Sequence, residues 1–240
     1  MSRAKTSLTA LILVLGACAS TPDPEAEAQA ELARAIEDAT KPATPEEIEA
    51  ANNSDPLTKA NFWANEYNKD PKNLDVAMTF VSALRGIGSN ERAIEVLSQT
   101  LVEYPDNPDL LMALGKVFSA EDNLMGAARA FEKAAVVMPE RADAWSAFGI
   151  TLDKLERHDM AQAAYDKALA LEPTRTTTLA NYGLSLALSG DLTGAEAKLR
   201  LAAEQPDADL RVTENLALIL GLQGRYDEMA AVSSRYAPES

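Results

Sequence analysis

The 240-residue chain contains 22 basic and 37 acidic residues, which gives a formal net charge of −15. A surplus of negative charge this large disfavours binding to nucleic-acid phosphates or directly to an anionic lipid surface. The single cysteine, Cys18, permits no internal disulfide. The composition therefore argues against a nucleic-acid-binding protein and against a disulfide-stabilised domain.

Residues 1–17 have the pattern of a secretory signal peptide. Arg3 and Lys5 form a basic start, and residues 8–15 form a short apolar run. This run is too short to cross a membrane as a mature helix, which needs about 20 residues. We therefore predict that the segment directs export and is removed.

Residues 15–18 have the sequence LGAC, which resembles the lipobox of bacterial lipoproteins. In that family the cysteine thiol receives a diacylglycerol group, so the resemblance implies a mature chain that begins at a lipidated Cys18. Each buried methylene of the acyl chains contributes about 0.8 kcal/mol to membrane anchoring. Ala19 stands where an aspartate retains lipoproteins at the inner membrane, which implies the periplasmic face of the outer membrane. The alternative is a free cysteine near an ordinary cleavage site.

Residues 18–55 are rich in alanine, glutamate and proline, and we interpret them as a tether. Residues 25–39 contain good helix formers, with Leu32 and Ile36 at helical spacing. This part either forms a helix that docks on the following domain or remains a solvated tether. We expect the tether to be partly ordered.

A regular repeat organises the rest of the chain. Pro71, Pro105, Pro139 and Pro173 are equally spaced, and Pro206 falls one position short of the next in the series. A fixed period of this size is typical of a solenoid, in which each unit is too small to bury a core alone. Other residue types recur between the prolines. In the unit that starts at residue 142, positions 4, 8, 11, 20, 24, 27 and 32 are Trp145, Gly149, Leu152, Ala161, Tyr165, Ala168 and Pro173.

This pattern resembles the tetratricopeptide repeat (TPR), in which each unit of about 34 residues forms a pair of antiparallel helices. The resemblance implies an all-α fold, a right-handed superhelix of the α-solenoid type, after the signal peptide and the partly disordered tether. Small residues at position 8, such as Gly149, are expected where the paired helices cross, because a larger side chain would force them apart. We assign a half unit at 56–73, full units at 74–107, 108–141, 142–175 and 176–209, and a capping partial unit at 210–240.

The sequence offers no catalytic or metal-binding constellation. His158 is the only histidine and Cys18 the only cysteine, so a zinc site and a Cys–His nucleophile are excluded. Gly86 and Gly88 lack the strand and helix context that a phosphate-binding loop requires. We predict a protein that is not an enzyme and uses no cofactor.

The first helices of TPR units line a concave groove, and the repeat register identifies the groove positions. TPR proteins that capture a C-terminal carboxylate use a clamp of lysine, arginine and asparagine, which is absent here. The last three units instead have apolar residues at position 9, and the last two of them also have amides at position 6, which suits an apolar helix or strand of a protein partner. The alternative is that some of these side chains pack under the next unit. The candidate partner-binding residues are Lys116, Ile150, Asn181, Leu184, Asn215 and Leu218.

Two C-terminal stretches narrow the functional hypothesis. Residues 181–191 (NYGLSLALSGD), and residues 206–212 together with 215–225, resemble the TadD lipoprotein of the tight-adherence (Tad or Flp) pilus system. The resemblance covers about residues 57–235 and implies a scaffold that assists localisation or oligomerisation of the pilus secretin. The alternative is a TPR lipoprotein adaptor for peptidoglycan hydrolases or for outer-membrane protein assembly. The sequence leaves the oligomeric state open.

Overall fold

The computed structural model describes residues 24–234, and within this range the chain forms thirteen α-helices and no strand. Contacts divide the chain into two units. The described part of the first unit, residues 24–42, contains helix α1 (Pro24–Thr40), and the second unit begins at Ala43. No helix of the described range combines the length and apolar character needed to cross a bilayer. The signal peptide and Cys18 lie outside the described residues.

The second unit is a stack of antiparallel helix pairs. A short pair, α2 and α3, precedes five further pairs, each made of a first and a second helix. The helices are α2 (Pro45–Asn52), α3 (Pro56–Lys69), α4 (Leu74–Gly86), α5 (Asn90–Glu103), α6 (Pro108–Ala120), α7 (Leu124–Val137), α8 (Ala142–Lys154), α9 (His158–Leu171), α10 (Thr176–Leu188), α11 (Leu192–Ala203), α12 (Leu210–Leu222) and α13 (Tyr226–Ser234).

The repeat period persists to the end of the stack. First helices begin at positions 74, 108, 142, 176 and 210, and second helices at 90, 124, 158, 192 and 226. The early Pro206 does not shift this register, because α11 is 12 residues long where α9 has 14. Asp207 takes the repeat position of the missing proline and accepts a hydrogen bond from the Thr176 hydroxyl.

Each of the five full-period pairs turns from its first to its second helix through a residue at position 15 with positive φ. Glycine occupies this position at Gly88, Gly190 and Gly224, with φ between 72° and 93°. Asp122 and Glu156 adopt the same left-handed conformation, with φ of 55° and 59°. Left-handed backbone is unfavourable for residues with a Cβ atom, so these two turns carry local strain that the three glycine turns avoid.

The glycines at position 8 are required by bulky residues at position 24 of the paired helix. A Cβ atom on Gly149 would lie 2.7 Å from the Tyr165 ring, and one on Gly115 would lie 2.5 Å from the Phe131 ring. Tyr165 is only 1% exposed, so its ring has little room to move. These close approaches let each pair bury a large side chain between two thin helices.

The core is a succession of clusters along the stack. One cluster extends from Trp63 of α3 to Val117 of α6, and the next from Leu111 of α6 to Tyr182 of α10. Two smaller clusters hold the last pairs together. Each pair thus depends on its neighbours for burial, as expected for a solenoid.

Helix α2 lies inside the range 18–55 that the sequence assigned to a tether, yet it packs on the solenoid. Ile48 contacts the first core cluster, and Trp63 Nε1 donates a hydrogen bond to Asn52 Oδ1 at 3.4 Å. Immediately before α2, the Ala43 N–H donates to the Glu66 carboxylate at 3.1 Å. The packed stack therefore starts near residue 43 rather than at 56.

The prolines around α2 explain this difference. Pro45 and Pro56 occupy the first helical positions of α2 and α3. At that position a proline costs nothing, because its missing N–H would be unpaired anyway. Thr44 and Glu47 form a capping box on α2, so the proline-rich segment contains two helix starts and not only breaks.

Candidate protein-binding surface

The first helices form a continuous surface. Direct contacts between successive first helices occur at α8–α10 and α10–α12, while the second helices α5, α7, α9 and α11 each pack between their own first helix and the next. This arrangement places the first helices on the inner side of the stack. We call the surface that carries repeat positions 2, 6, 9 and 13 of α4, α6, α8, α10 and α12 the first-helix face.

Three of the six predicted partner-binding residues come together at one site. Asn181, Leu184 and Asn215 line a pocket of about 360 Å³ between α10 and α12, which we call the C-terminal pocket. Within the described part of the chain, neither amide side chain has a hydrogen-bond partner. The pocket therefore offers two amides that no other described residue engages by a side-chain hydrogen bond.

Leu184 of this pocket belongs to a set of four leucines on α10 and α12. Leu184 is half-buried, whereas Leu188, Leu218 and Leu222 are 65%, 55% and 60% exposed. Leu188 follows Leu184, and Leu222 follows Leu218, by four positions, so each pair lies on one side of its helix. We call these four residues the leucine patch. Clustered exposed leucines are typical of a surface that binds another molecule.

Sequence reasoning did not single out Leu188 and Leu222. They occupy position 13, one helical turn after position 9, where the repeat register predicts the apolar groove residues Leu184 and Leu218. The sequence signal for Leu188 and Leu222 was their spacing of four positions from Leu184 and Leu218, because residues four apart lie on the same side of a helix.

The other two predicted groove residues lie elsewhere. Ile150 is half-buried and packs against the second core cluster, so a large part of its side chain is covered. Lys116 is exposed and lines a different pocket of about 370 Å³ between α4 and α6, together with Arg85 and Arg141. We call this second site the N-terminal pocket.

The C-terminal pocket is acidic. Three carboxylates line it, those of Asp207, Asp209 and Glu214, with one guanidinium, that of Arg211. Arg211 lies 2.6 Å from Asp209, and this hydrogen-bonded ion pair holds the pKa of Asp209 below its usual value. Glu214 is exposed and forms no ion pair with any described residue.

The N-terminal pocket has the opposite balance. Arg85, Lys116 and Arg141 line it with two carboxylates, Asp75 and Asp109. Arg141 is 2.6 Å from Asp109, whereas Arg85 and Lys116 form no ion pair within residues 24–234. The two pockets of the first-helix face therefore differ in the sign of their net charge.

The single histidine belongs to a polar network that joins three helices. His158 Nδ1 lies 2.9 Å from Asp153 Oδ1, and the Ser185 hydroxyl donates to the same oxygen at 2.7 Å. The Tyr165 hydroxyl donates to the other carboxylate oxygen at 2.8 Å. Burial, and then the Asp153 charge and hydrogen bond, raise the pKa of Tyr165. Ser185 and His158 meet at the carboxylate and not at each other, so the network does not form a nucleophile–base pair.

Comparison with known proteins is consistent with this architecture. A tetratricopeptide repeat family model matches residues 78–146 and 146–209, which is more than half of the chain. The chain therefore belongs to the tetratricopeptide repeat family, whose members are in general protein-interaction scaffolds rather than enzymes. No curated protein matches the chain.

Several solved structures share the fold. MamA from Desulfovibrio magneticus RS-1 is 16% identical with a TM-score of 0.63, and the match covers 69% of this chain and 93% of MamA. YrrB, described as a TPR protein with an unusual peptide-binding site, is 20% identical with a TM-score of 0.60, covering 75% and 94%. The pilF protein of Pseudomonas aeruginosa is 14% identical with a TM-score of 0.64, covering 85% and 94%. At these identities the likeness concerns the fold alone.

Proposed function

We propose that this protein is an outer-membrane-anchored periplasmic scaffold for assembly of the Tad (Flp) pilus machine. It binds a pilus component, the secretin, and assists its localisation or oligomerisation. The leucine patch carries the proposal, because three largely exposed leucines on adjacent first helices form a surface suited to a protein partner.

The patch and the pocket beside it suit a peptide segment of the partner. Burial of a leucine side chain contributes roughly 1.5–3 kcal/mol, so contact with several leucines supplies a substantial part of a binding free energy. Asn181 and Asn215 can donate to and accept from the backbone of a bound strand or helix end. The peptide-binding site in the description of YrrB gives a precedent for such binding on this fold.

The pilus assignment and the membrane anchor rest on the sequence. The stretches 181–191, 206–212 and 215–225 resemble TadD, and residues 15–18 resemble a lipobox. A lipidated Cys18 followed by the segment up to Pro42 would hold the solenoid near the outer membrane, where a secretin is assembled.

The proposal predicts a specific phenotype for a double variant, Leu188→Glu with Leu218→Glu. Two buried charges at the interface oppose binding, so secretin multimers and surface Flp pili should be lost when this variant replaces the wild-type protein. Since both leucines are exposed, the thermal melt should stay within a few degrees of wild type. The assay is complementation of a deletion strain, scored by secretin multimers and by surface pili.

The matched control is Val102→Glu with Val136→Glu. These valines are 78% and 64% exposed and lie on the second helices α5 and α7, away from the first-helix face. The control should restore both multimers and pili. Normal pili with the leucine double variant would contradict the proposal. Co-purification of a peptidoglycan hydrolase or of barrel-assembly proteins in place of the secretin would favour the adaptor function instead.

A further inference from the structure

We infer that the C-terminal pocket receives a basic side chain, a lysine or an arginine, of the segment that the leucine patch binds. This inference rests on the proposed function, since it specifies the chemistry of the partner segment at that surface. It predicts an apolar segment with one cationic residue placed between its apolar residues.

The charges of the pocket support a cationic guest. Its three carboxylates face a single guanidinium, and that guanidinium, on Arg211, is already paired with Asp209. Asp207 accepts a hydrogen bond from Thr176, but this neutral donor leaves its charge uncompensated. Glu214 has no ionic partner among the described residues. The pocket therefore retains a net negative charge that a partner cation can neutralise.

The shape and composition of the pocket fit a long cationic side chain. Lysine and arginine bury an aliphatic stem against apolar surface while the charged head contacts polar groups. Leu184 and Val212 supply apolar lining for the stem. Glu214, together with the amide oxygens of Asn181 and Asn215, supplies acceptors for the several N–H donors of the head group.

The charge of the N-terminal pocket disfavours binding of the same basic side chain there. Its Arg85 and Lys116, which form no ion pair within residues 24–234, repel a basic residue, so a cation on the bound segment favours the C-terminal pocket. A like-charge mismatch of this kind is a common source of specificity in binding. One basic residue thereby fixes the position of the segment along the first-helix face.

The test uses the full chain and three synthetic peptides that differ only at one residue. Each peptide carries leucines at helical spacing on both sides of a central arginine, glutamine or glutamate. Their dissociation constants are measured by fluorescence anisotropy at one fixed salt concentration. Because hydrogen bonds to charged groups are stronger than neutral ones, the arginine peptide should bind about fivefold to tenfold more tightly than the glutamine peptide, and the glutamate peptide most weakly.

The variant Glu214→Gln removes a carboxylate that has no ionic partner within residues 24–234, and it leaves the size of the side chain nearly unchanged. It should reduce the advantage of the arginine peptide over the glutamine peptide by at least half, and leave binding of the glutamine peptide unchanged. Glu132→Gln, at an exposed position on α7, is the matched control and should change neither.

The outcomes separate this inference from the proposed function. Equal binding of the three peptides, lost in the Leu188→Glu and Leu218→Glu variant, overturns the basic-residue inference and leaves the proposed function in place. Failure of all three peptides to bind at millimolar concentration also overturns the inference. The complementation phenotype of the leucine variant then decides the proposed function independently.

Discussion

The two halves of the first-helix face have the same helical framework and different surface chemistry. In the N-terminal half, position 9 is occupied by Ser82 and Lys116. In the C-terminal half, the same position is occupied by Leu184 and Leu218. The helices that carry these residues begin at equal intervals along the chain and bury the same kinds of core residue.

This difference separates the residues that build the stack from those that bind a partner. Positions 8 and 24 of the repeat face each other in the core, as Gly149 and Tyr165 do, and they hold the helix pairs together. Positions 9 and 13 lie on the first-helix face, and most of their side chains, such as those of Lys116, Leu188 and Leu218, are exposed. The surface changes along this face from polar and cationic to apolar and acidic. We therefore attribute this change to the chemistry of the partner and not to the needs of the fold.

The largest expected effect comes from the framework that both halves share. Gly149→Leu places a large side chain where even a Cβ atom lies 2.7 Å from the Tyr165 ring. We expect the free energy of unfolding to fall by roughly 3 kcal/mol, and the urea transition to lose cooperativity. The matched control is Gly86→Ala at the end of α4, where an added Cβ atom meets nothing within 4 Å. If Gly149→Leu unfolds in urea as the wild type does, the close contact between α8 and α9 at this glycine is not required for stability.

A smaller effect concerns the turns, which also differ along the stack. Glu156 adopts a left-handed conformation at position 15 of its unit. The two C-terminal units have glycine at this position, Gly190 and Gly224. Glu156→Gly should raise the free energy of unfolding by roughly 0.5 kcal/mol, because the strain relieved exceeds the entropy that glycine gains in the unfolded chain. Gly190→Ala should do the opposite and lower it by about 1 kcal/mol. Both are measured by urea denaturation, and a destabilised Glu156→Gly variant would contradict the argument.

The smallest effect concerns the ionic cluster that attaches the last helix. Glu196 of α11 lies 2.8 Å from Arg200 and 2.5 Å from Arg225, which immediately precedes α13. Burial raises the pKa of Glu196, but hydrogen bonds from Arg200, Gln223 and Arg225 together outweigh it, so the pKa is lowered overall. A lowered pKa in the folded state stabilises the fold above the ordinary glutamate value of 4.5, and this contribution is lost as the pH falls below it.

The corresponding experiment compares wild type with Glu196→Gln between pH 7 and pH 3. Because solvent screens this near-surface cluster, we expect a difference in unfolding free energy of roughly 0.5 kcal/mol at pH 7 that shrinks as the pH falls toward 3. Arg129→Gln is a control in an exposed position that forms no ion pair with a described residue. A difference between wild type and Glu196→Gln that grows as the pH falls would contradict the sign of this argument.

The sequence predicted the framework well, for a physical reason. The spacing of Pro71, Pro105, Pro139 and Pro173 indicated the register, and the helix starts keep to it through residue 226. Core positions repeat because each pair packs on nearly identical neighbours. The all-α solenoid was therefore predictable from local pattern alone, and the structure confirms it.

The binding surface was only partly predictable, because the exposure of each unit depends on the next unit in the stack. Ile150 and Leu218 occupy the same repeat position, yet the first is half-buried and the second is 55% exposed. Among the described residues, a further first helix, α10, comes after Ile150, whereas the nine-residue α13 is the helix that follows Leu218. The repeat pattern does not contain this difference, since the exposure of each side chain depends on the helices packed around it.

The most direct test of the central claim is a binding measurement between this protein and the purified Tad secretin. The account predicts saturable binding by the wild-type chain. It predicts at least tenfold weaker binding by the Leu188→Glu and Leu218→Glu variant, and unchanged binding by the Val102→Glu and Val136→Glu control. Equal affinity of the leucine variant and the wild type, or no binding by the wild type, would contradict it.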